Sequence, residues 1–180
     1  MSLYHDKFSK HNIQIAQILM GQAELDSRRS TSHSYNAIKI LLKNNVIPII
    51  NENDVTSVKE LVFGDNDQLA AHITHYFNAD MLVILSDIKG YYDKDPKIHS
   101  DAKIKKVVTR LSKEELNSNS KSGSKFGTGG IYTKLKAANF LLKRDKEMFL
   151  TSGFDLTALE DFLLDDNHTS GTLFRPSLED

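Results

Sequence analysis

The chain of 180 residues has no cysteine, no excess of charge of either sign and no long apolar run. The absence of cysteine excludes disulfides, thiolate metal ligands and a cysteine nucleophile, and it fits a reducing compartment. Lysine and arginine number 23 against 24 acidic residues, so the net charge of −1 gives no electrostatic reason to expect nucleic acid or an anionic membrane as partner. Function must therefore be sought in local sites.

Apolar segments in this sequence have the length of strands. Met81–Leu85 is an example, and none approaches the ~20 residues that a membrane helix needs. The first residues, Met1 to Lys7, contain no apolar core of a signal peptide. We expect a soluble cytoplasmic protein with a sizeable core, because a domain near this size buries roughly 70% of the surface that its unfolded chain exposes.

Short apolar runs alternate with helical patterns along the chain. The predicted strands are Ile13–Met20, Val46–Ile50, Met81–Ser86, Met148–Thr151 and Gly171–Phe174. The predicted helices are Leu3–Lys10, Ser30–Lys43, Asp67–Phe77, Lys113–Leu116, Gly130–Arg144 and Asp155–Leu163. Continuous apolar strands between helices predict an α/β fold with a mainly parallel sheet flanked by helices. We predict one domain, with Val55–Phe63 as a small hairpin-like excursion at the ligand end of the sheet.

A glycine pair and a lysine stand at the opening of the predicted helix Gly130–Arg144. The sequence from Thr128 to Lys134 is Thr-Gly-Gly-Ile-Tyr-Thr-Lys. Glycines let a polyanion approach the backbone, and the first N–H groups and the positive end of the helix dipole point at it. Lys134 adds a full charge within the first turns. These features predict a phosphate site, and a flexible entry loop is the alternative.

The segment Leu116–Thr128, directly before the glycine pair, resembles a loose connection. It is rich in small polar residues, which is typical of a mobile surface loop. A lid that orders when phosphate binds is the second interpretation. We prefer the lid, because long loops are usually functional or disordered.

Three polar clusters follow predicted strands, where open α/β sheets place their ligands. They are Asn51–Asp54, Gly64–Asp67 and Ser86–Pro96. The first two concentrate carboxylates and amides that need cationic partners, such as a substrate ammonium group. In the third, Ser86 and Asp87 offer a hydroxyl and a carboxylate to a nucleotide, and one of the tyrosines at positions 91 and 92 offers a ring to a base.

Each cluster also has a structural explanation. Asparagine and aspartate favour turns and cap helices, so Asn51–Asp54 would form a turn and one residue of Gly64–Asp67 would be a cap. Asp93 and Asp95 would likewise solvate turns.

Metal binding is not predicted from these residues. An EF-hand interpretation of Gly64–Asp67 fails, because the spacing lacks the glycine and the distal glutamate of a calcium loop. His72 and His75 lie three residues apart on one predicted helix, without the further ligands that zinc needs.

Together these segments resemble the amino acid kinase family, and within it the kinases that phosphorylate glutamate. The matching stretches keep the family's order over nearly the whole chain and are Pro48–Asp54, Phe63–Asp67, Leu85–Tyr92 and Gly127–Leu135. The Gly-Thr-Gly-Gly…Thr-Lys-Leu string occurs in several amino acid kinases. The Asn-Glu-Asn-Asp segment followed by Phe-Gly-Asp-Asn-Asp resembles the glutamate enzymes specifically.

The resemblance implies a three-layer αβα fold and ATP-dependent phosphorylation of the γ-carboxylate of L-glutamate. The product would be glutamyl 5-phosphate, in the first step of proline biosynthesis. The partners would be glutamate and ATP, with no nucleic acid and no membrane, in a homo-oligomer. Mg²⁺ would arrive bridging the ATP phosphates, without a dedicated protein cage.

The resemblance also implies roles for individual residues. Lys134 would be the catalytic cation, and Asp67 would organise the catalytic lysines. Asp54 and Asn66 would bind glutamate. ATP would be held by Ser86, Asp87, Thr128, Gly129, Gly130, Ile131, Tyr132, Thr133 and Lys134.

This sequence departs from the family pattern at its start. Family members begin with a strand, a lysine and a Gly-Ser turn that holds phosphates. This sequence does not contain these elements. We therefore expect an N-terminally incomplete amino acid kinase domain over residues 1–180, with no RNA-modification-like domain. Such a chain alone would transfer phosphate negligibly, since removing one preorganised electrostatic group commonly costs on the order of 10²–10³ in rate.

Two other functions stay open. A family member with another acceptor, such as uridylate, carbamate, aspartate or acetylglutamate, would share the glycine-rich ATP loop. The pairing of Asn51–Asp54 with Gly64–Asp67 argues against it. A non-catalytic nucleotide-binding or oligomerising fragment would bind ATP without turnover.

Overall fold

The structure is a computed structural model that describes residues 1–21, 28–53, 66–116 and 130–177. The predicted excursion Val55–Phe63 lies outside these residues, as does nearly all of the predicted lid Leu116–Thr128. The chain forms two compact units, Met1–His72 and Ile73–Asp180, and the sheets of the two units are separate. The prediction of a single domain stays a prediction.

The first unit is built around a parallel pair of strands. Its elements are the helix α1 (Ser2–Phe8), the strand β1 (Gln14–Met20), the helix α2 (Arg28–Lys43) and the strand β2 (Val46–Glu52). The boundary between the units falls within the next helix, α3 (Asn66–Tyr76). β1 and β2 pair from Gln14 opposite Val46 to Met20 opposite Glu52. Parallel neighbours need a crossover connection, and α2 lies in it.

The described part of the second unit includes a four-stranded sheet, two longer helices and a helical turn at residues 113–116. Its strands are β3 (Met81–Ser86), β4 (Val107–Val108), β5 (Glu147–Ser152) and β6 (Thr172–Phe174), and its helices are α4 (Ile131–Leu142) and α5 (Thr157–Leu164). The strand order is β3-β5-β6-β4. β3 pairs with β5 and β4 with β6 in parallel, whereas β5 and β6 are antiparallel.

The predicted α/β class is confirmed, with parallel pairing dominant and helices flanking the sheets. The five predicted strands are all present, within two residues of their predicted starts and ends. The sequence analysis missed β4, because a strand of two residues gives no periodic signal. No helix in the described part of the chain is both long enough and apolar enough to cross a membrane.

In the described part of the chain, asparagine or aspartate, and not glycine, has a positive φ just after a helix, including the 3-10 helix Ser9–His11 that follows α1. The residues with positive φ at these places are Asn12, Asn45, Asn78, Asp145 and Asp166, with φ between 51° and 57°. Their short polar side chains tolerate the left-handed conformation that commonly ends a helix. The chain can therefore turn out of its helices although it contains only 9 glycines.

The core of the second unit is centred on β5. Met148, Phe149 and Leu150 are fully buried there, as expected for a strand covered on both faces. The buried face of α4, which packs on β5, is formed by Lys134, Leu135, Ala137, Ala138 and Leu141. The small alanine side chains let the helix backbone approach the sheet closely.

Gly171 is required by its backbone conformation and by its neighbour. Its φ is +88°, and a Cβ there would lie 2.6 Å from Cζ of Phe149. The Phe149 ring is itself stacked on Phe162, with ring centroids 4.1 Å apart, and His168 packs edge-on against both rings. The ring therefore has little room to yield.

We expect Gly171→Ala to lower the free energy of unfolding by about 2–4 kcal/mol, because it adds left-handed strain to a clash with a packed ring. Thermal unfolding followed by circular dichroism measures the loss. Gly153→Ala is the control, since its φ is outside the left-handed region and its Cβ would lie 3.2 Å from Cβ of Leu85. Equal losses in the two variants would contradict this account of the packing around Phe149.

Candidate functional site

The N-terminus of α4 has the features of an anion site. Gly130 is the N-cap in an extended conformation, with φ −69° and ψ −178°, and makes no side-chain cap. Thr133 donates its N–H and its hydroxyl to the Gly130 carbonyl, at 3.2 Å and 2.9 Å, which fixes the first turn. An anion at such a helix start meets peptide N–H groups and the positive end of the helix dipole.

Lys134 lies on the buried face of α4, with 8% of its surface exposed. It shares a helical stripe with Ala138 and Leu141, which follow it by four and seven positions. The apolar part of that stripe holds the helix on β5, so the lysine is fixed at the N-terminal end of a packed face. A charge in such a place is screened less by water than a charge on the surface.

The topology brings the start of α4 and the end of β3 to the same edge of the sheet. Residues 143–146 connect α4 to β5, and so short a connection makes the helix antiparallel to the strand that it packs on. β3 runs parallel to β5 and ends at Ser86. The Ser86 hydroxyl donates to Oδ1 of Asp87 at 3.0 Å. Two predicted nucleotide segments therefore share the carboxyl edge of the second unit's sheet.

The end of β5 lies beside the end of β3 and was missed by the sequence analysis. Gly153 donates its N–H to the Ser86 carbonyl at 2.7 Å, and the Ser152 hydroxyl accepts the N–H of Phe154 at 3.1 Å. The signal was available in the sequence, because small polar residues followed by glycine come directly after the buried run of β5. These residues fix the carbonyl of Ser86 next to the predicted nucleotide site.

The predicted glutamate residues belong to the first unit. β2 ends at Glu52, and the N–H of Asn53 donates to the Met20 carbonyl at 2.9 Å, which joins the ends of β1 and β2. Asn66 and Asp67 form the first turn of α3.

Three predicted site residues, Asp54, Thr128 and Gly129, lie outside the described residues. Ile131 and Tyr132 open α4 between Gly130 and Thr133. Of the described residues, those predicted to bind glutamate lie in the first unit, and those predicted to bind the nucleotide lie in the second.

Of the two tyrosines predicted to offer a ring to a nucleotide base, the structure excludes Tyr91. Tyr91 is 8% exposed, and its ring stacks on Phe174 with centroids 6.3 Å apart. Nζ of Lys105 lies 4.7 Å from the ring centroid, and the hydroxyl donates to Oε1 of Glu115 at 3.0 Å. The Tyr91 ring is thus buried in contacts with its own chain. Stacking on a nucleotide base stays a prediction for Tyr92.

Glu115 is the acceptor at the centre of this arrangement. It accepts from Nζ of Lys105 at 2.8 Å and from the N–H of Ser112 at 2.9 Å, and its own N–H donates to Oγ of Ser112 at 3.1 Å. The reciprocal bonds with Ser112 are a capping box. Burial alone would raise the pKa of Glu115, but the bonds from Lys105, Ser112 and Tyr91 outweigh it and lower the pKa to about 2.

Other polar groups have the structural roles that the sequence allowed as alternatives. The carboxylate of Asp93 accepts the N–H of Lys103 at 2.8 Å, and that of Asp95 accepts the N–H of Lys97 in the same turn at 2.9 Å. The ring of His75 packs against Tyr76 and Phe140. Among the residues that the structure describes, no group of three or more histidine, aspartate or glutamate side chains is placed to hold a metal ion.

We expect the Glu115 contacts to make stability depend on pH in acid. The folded pKa of about 2 lies below the ordinary value of 4.5, so ionised Glu115 contributes stability above about pH 4.5, and the contribution is lost as the pH falls through 2. The free energies of unfolding in urea of the wild type and Glu115→Gln should differ most near neutral pH. The difference should shrink as the pH falls from about 4.5 to 2.

Glu147→Gln is the matched control. Glu147, on β5, forms an ion pair with the exposed Arg175, which directly follows β6. Its difference from the wild type should be small at every pH, as exposed pairs contribute little. A difference for Glu115→Gln that is independent of pH would contradict the ionised hydrogen-bonded arrangement.

The sequence profile of the amino acid kinase family matches residues 1–152. The chain is 51% identical over 178 residues to a glutamate 5-kinase of Wolinella succinogenes, covering 97% of this chain and 68% of that protein. It is 49% identical over 174 residues to a glutamate 5-kinase of Leishmania donovani, with 97% and 66% covered. For a glutamate 5-kinase of Helicobacter hepaticus the identity is 45%, with 98% and 67% covered. The chain spans about two thirds of the length of these relatives.

Solved structures with a similar backbone include an isopentenyl phosphate kinase substrate complex. The TM-score is 0.61 at 16% identity, covering 94% of this chain and 63% of that one. A UMP kinase from Bacillus anthracis matches with a TM-score of 0.60 at 14% identity, with 94% and 61% covered. At such identities the likeness concerns the fold alone.

Proposed function

The chain belongs to the amino acid kinase family and, within it, to the glutamate 5-kinases, and from this membership we propose that the full-length protein phosphorylates the γ-carboxylate of L-glutamate with ATP. The product is glutamyl 5-phosphate, and the reaction is the first step of proline biosynthesis. The observation that carries the proposal is the 51% identity with a glutamate 5-kinase over 97% of the chain.

The proposed reaction needs no protein nucleophile. An oxygen of the γ-carboxylate attacks the γ-phosphorus of ATP, the bond from that phosphorus to the bridging oxygen breaks, and ADP leaves with the electron pair. The protein's contribution is to hold two anions in line and to neutralise the charge on the transferring group. Mg²⁺ would accompany ATP and would neutralise part of that charge, without a dedicated protein cage.

In this proposal the second unit binds ATP. Ser86 and Asp87 hold the nucleotide at the end of β3, and the phosphates lie at the start of α4. Lys134 contributes its charge to the oxygens of the transferring phosphoryl group. Its burial and its place in the packed stripe of α4 support this role, because a cation fixed in advance and shielded from water stabilises developing charge more strongly. The phosphate loop is Thr128, Gly129, Gly130, Ile131, Tyr132, Thr133 and Lys134.

Glutamate is bound by residues of the first unit in this proposal. Asp54 provides the counter-charge for the ammonium group, and Asn66 provides an amide. Asp67, in the first turn of α3, organises the catalytic lysines through its carboxylate.

The proposal also includes the surroundings of the reaction. We place the protein in the cytoplasm, with glutamate and ATP as its partners and without nucleic acid or membrane, in line with the net charge of −1. We include a homo-oligomer, and the exposed apolar side chains of Leu19, Ile40 and Leu42 in the first unit support association between copies.

A panel of acceptors tests the proposed function. ADP release by the full-length protein is measured with glutamate, aspartate, acetylglutamate, carbamate and uridylate in turn. Among these acceptors, we expect only glutamate to cause ADP release. Faster release with another acceptor would replace the proposed substrate, and ATP binding without release for any acceptor would support the non-catalytic alternative.

We expect Lys134→Ala to lower kcat by about 10²–10³ and to leave the KM for glutamate within about twofold, because the lysine meets the transferring group and not the amino acid. Steady-state kinetics with varied glutamate measure both constants. Lys143→Ala, an exposed lysine just after the same helix, is the control and should keep the wild-type kcat. A raised KM for glutamate with kcat intact would refute the role of Lys134.

Asp54→Asn should weaken glutamate binding by about 10-fold or more and leave ATP affinity within about twofold, because it removes the counter-charge of the ammonium group. Titration calorimetry with each ligand separates the two effects. The same exchange at the exposed Asp80 should change neither affinity. Equal losses for glutamate and ATP in Asp54→Asn would point to a disrupted fold and against a specific contact.

A further inference from the structure

The turn over residues 86–91, here called the nucleotide turn, is fixed at its first end by the sheet. Ser86 pairs with Ser152 in the parallel register of β3 and β5. The Ser86 carbonyl also accepts the N–H of Gly153 at 2.7 Å. The residue that begins the turn therefore has its backbone position set by β5.

The last residue of the nucleotide turn is held through both of its backbone groups. The N–H of Tyr91 donates to Oγ1 of Thr172 at 2.8 Å, in a buried hydrogen bond, and its carbonyl accepts the N–H of Lys105 at 2.8 Å. A Cβ at Gly90 would lie 2.9 Å from both Oγ1 of Thr172 and Cγ2 of Ile104. The turn thus ends with its backbone pressed against β6.

The side chain of Tyr91 adds a closed set of contacts to this anchor. Its hydroxyl and Nζ of Lys105 both donate to Oε1 of Glu115, and the same Nζ lies 4.7 Å from the centre of the Tyr91 ring. Each of the three side chains therefore touches the other two. An apolar set could fill the same space with a smaller desolvation cost, so the polar contacts select one geometry.

We propose that Tyr91, Lys105 and Glu115 form a positioning cluster that holds the nucleotide turn in the conformation that binds ATP. This inference rests on the proposed function, because it takes Ser86 and Asp87 as nucleotide residues. None of the three touches ATP in this proposal, and their effect passes through the backbone of residues 86–91.

The cluster acts on binding and not on the chemical step. If the hydroxyl of Tyr91 or the carboxylate of Glu115 is removed, the turn gains conformations, and ATP must select the competent one. The affinity for ATP falls in proportion to the fraction of molecules that hold that conformation. Once bound, ATP meets Lys134 in the same geometry as before, so kcat is kept. The affinity for glutamate, whose proposed residues lie elsewhere in the chain, stays unchanged.

Two variants test the cluster in the full-length protein, with titration calorimetry of ATP in the absence of any acceptor. Tyr91→Phe keeps the ring on Phe174 and loses only the hydroxyl, and Glu115→Gln keeps the shape and loses the charge. We expect each to raise the Kd for ATP about three- to tenfold, with kcat at saturating ATP within about twofold. The double variant should lose less ATP affinity than the two single losses together, because Tyr91 and Glu115 act on the turn through a shared contact.

Glu147→Gln is the matched control and should leave the Kd for ATP within about twofold, as it removes only the exposed contact with Arg175. Unchanged ATP affinity in both Tyr91→Phe and Glu115→Gln, with lower melting temperatures, would show a structural role only and overturn the inference. Additive losses in the double variant would overturn it as well. The ATP titration contains no acceptor, so its result does not depend on glutamate. If glutamate failed as the acceptor, the proposed function would be refuted, but the comparison of ATP affinities would still test the cluster.

Discussion

The packing of α4 on β5, whose central residues are buried, is the interaction on which the second unit depends. Lys134 is the N-terminal member of the same stripe that contributes Ala138 and Leu141 to the core. The helix also runs antiparallel to β5, so its start lies at the edge where β3 ends in Ser86. Apolar burial therefore fixes both the position of the buried lysine and the edge to which a phosphate would be drawn.

The sequence predicted those helices and strands whose pattern lies within their own residues. Apolar runs located the five longest strands, and Asn45 or Asp145 beyond a helical pattern marks where a helix ends. The two-residue strand β4 and the antiparallel direction of β6 were not predictable, since both are set by pairing with distant strands. Gly171 shows the same limit, because the ring that excludes a Cβ belongs to Phe149.

The candidate site was predictable to the extent that it follows local rules. Strand ends pointed to Ser86 and Asp87, and the glycine pair before a helix pointed to Gly130 and Lys134. The sequence left both Tyr91 and Tyr92 open as the ring offered to a base, and it gave no sign of the burial of Tyr91. Its partners are 24 and 83 positions away in Glu115 and Phe174, and only the folded chain shows them.

In the proposed function, the two substrates are assigned to different units of the chain. The nucleotide residues that the structure describes are held by one sheet, and the described residues proposed for glutamate are held by the other unit. A kinase that needs two anions in line gains from binding each on a separately packed framework. In the proposed reaction, direct transfer of the phosphoryl group to a carboxylate gives an acyl phosphate as the product.

Trapping that product with hydroxylamine tests the central claim most directly. An acyl phosphate reacts with hydroxylamine to give a hydroxamate, which mass spectrometry identifies. Incubation of the full-length protein with ATP, Mg²⁺ and glutamate is predicted to give γ-glutamyl hydroxamate in step with ADP. ADP release with glutamate but without the hydroxamate, or a hydroxamate formed only from another carboxylate, would contradict the account.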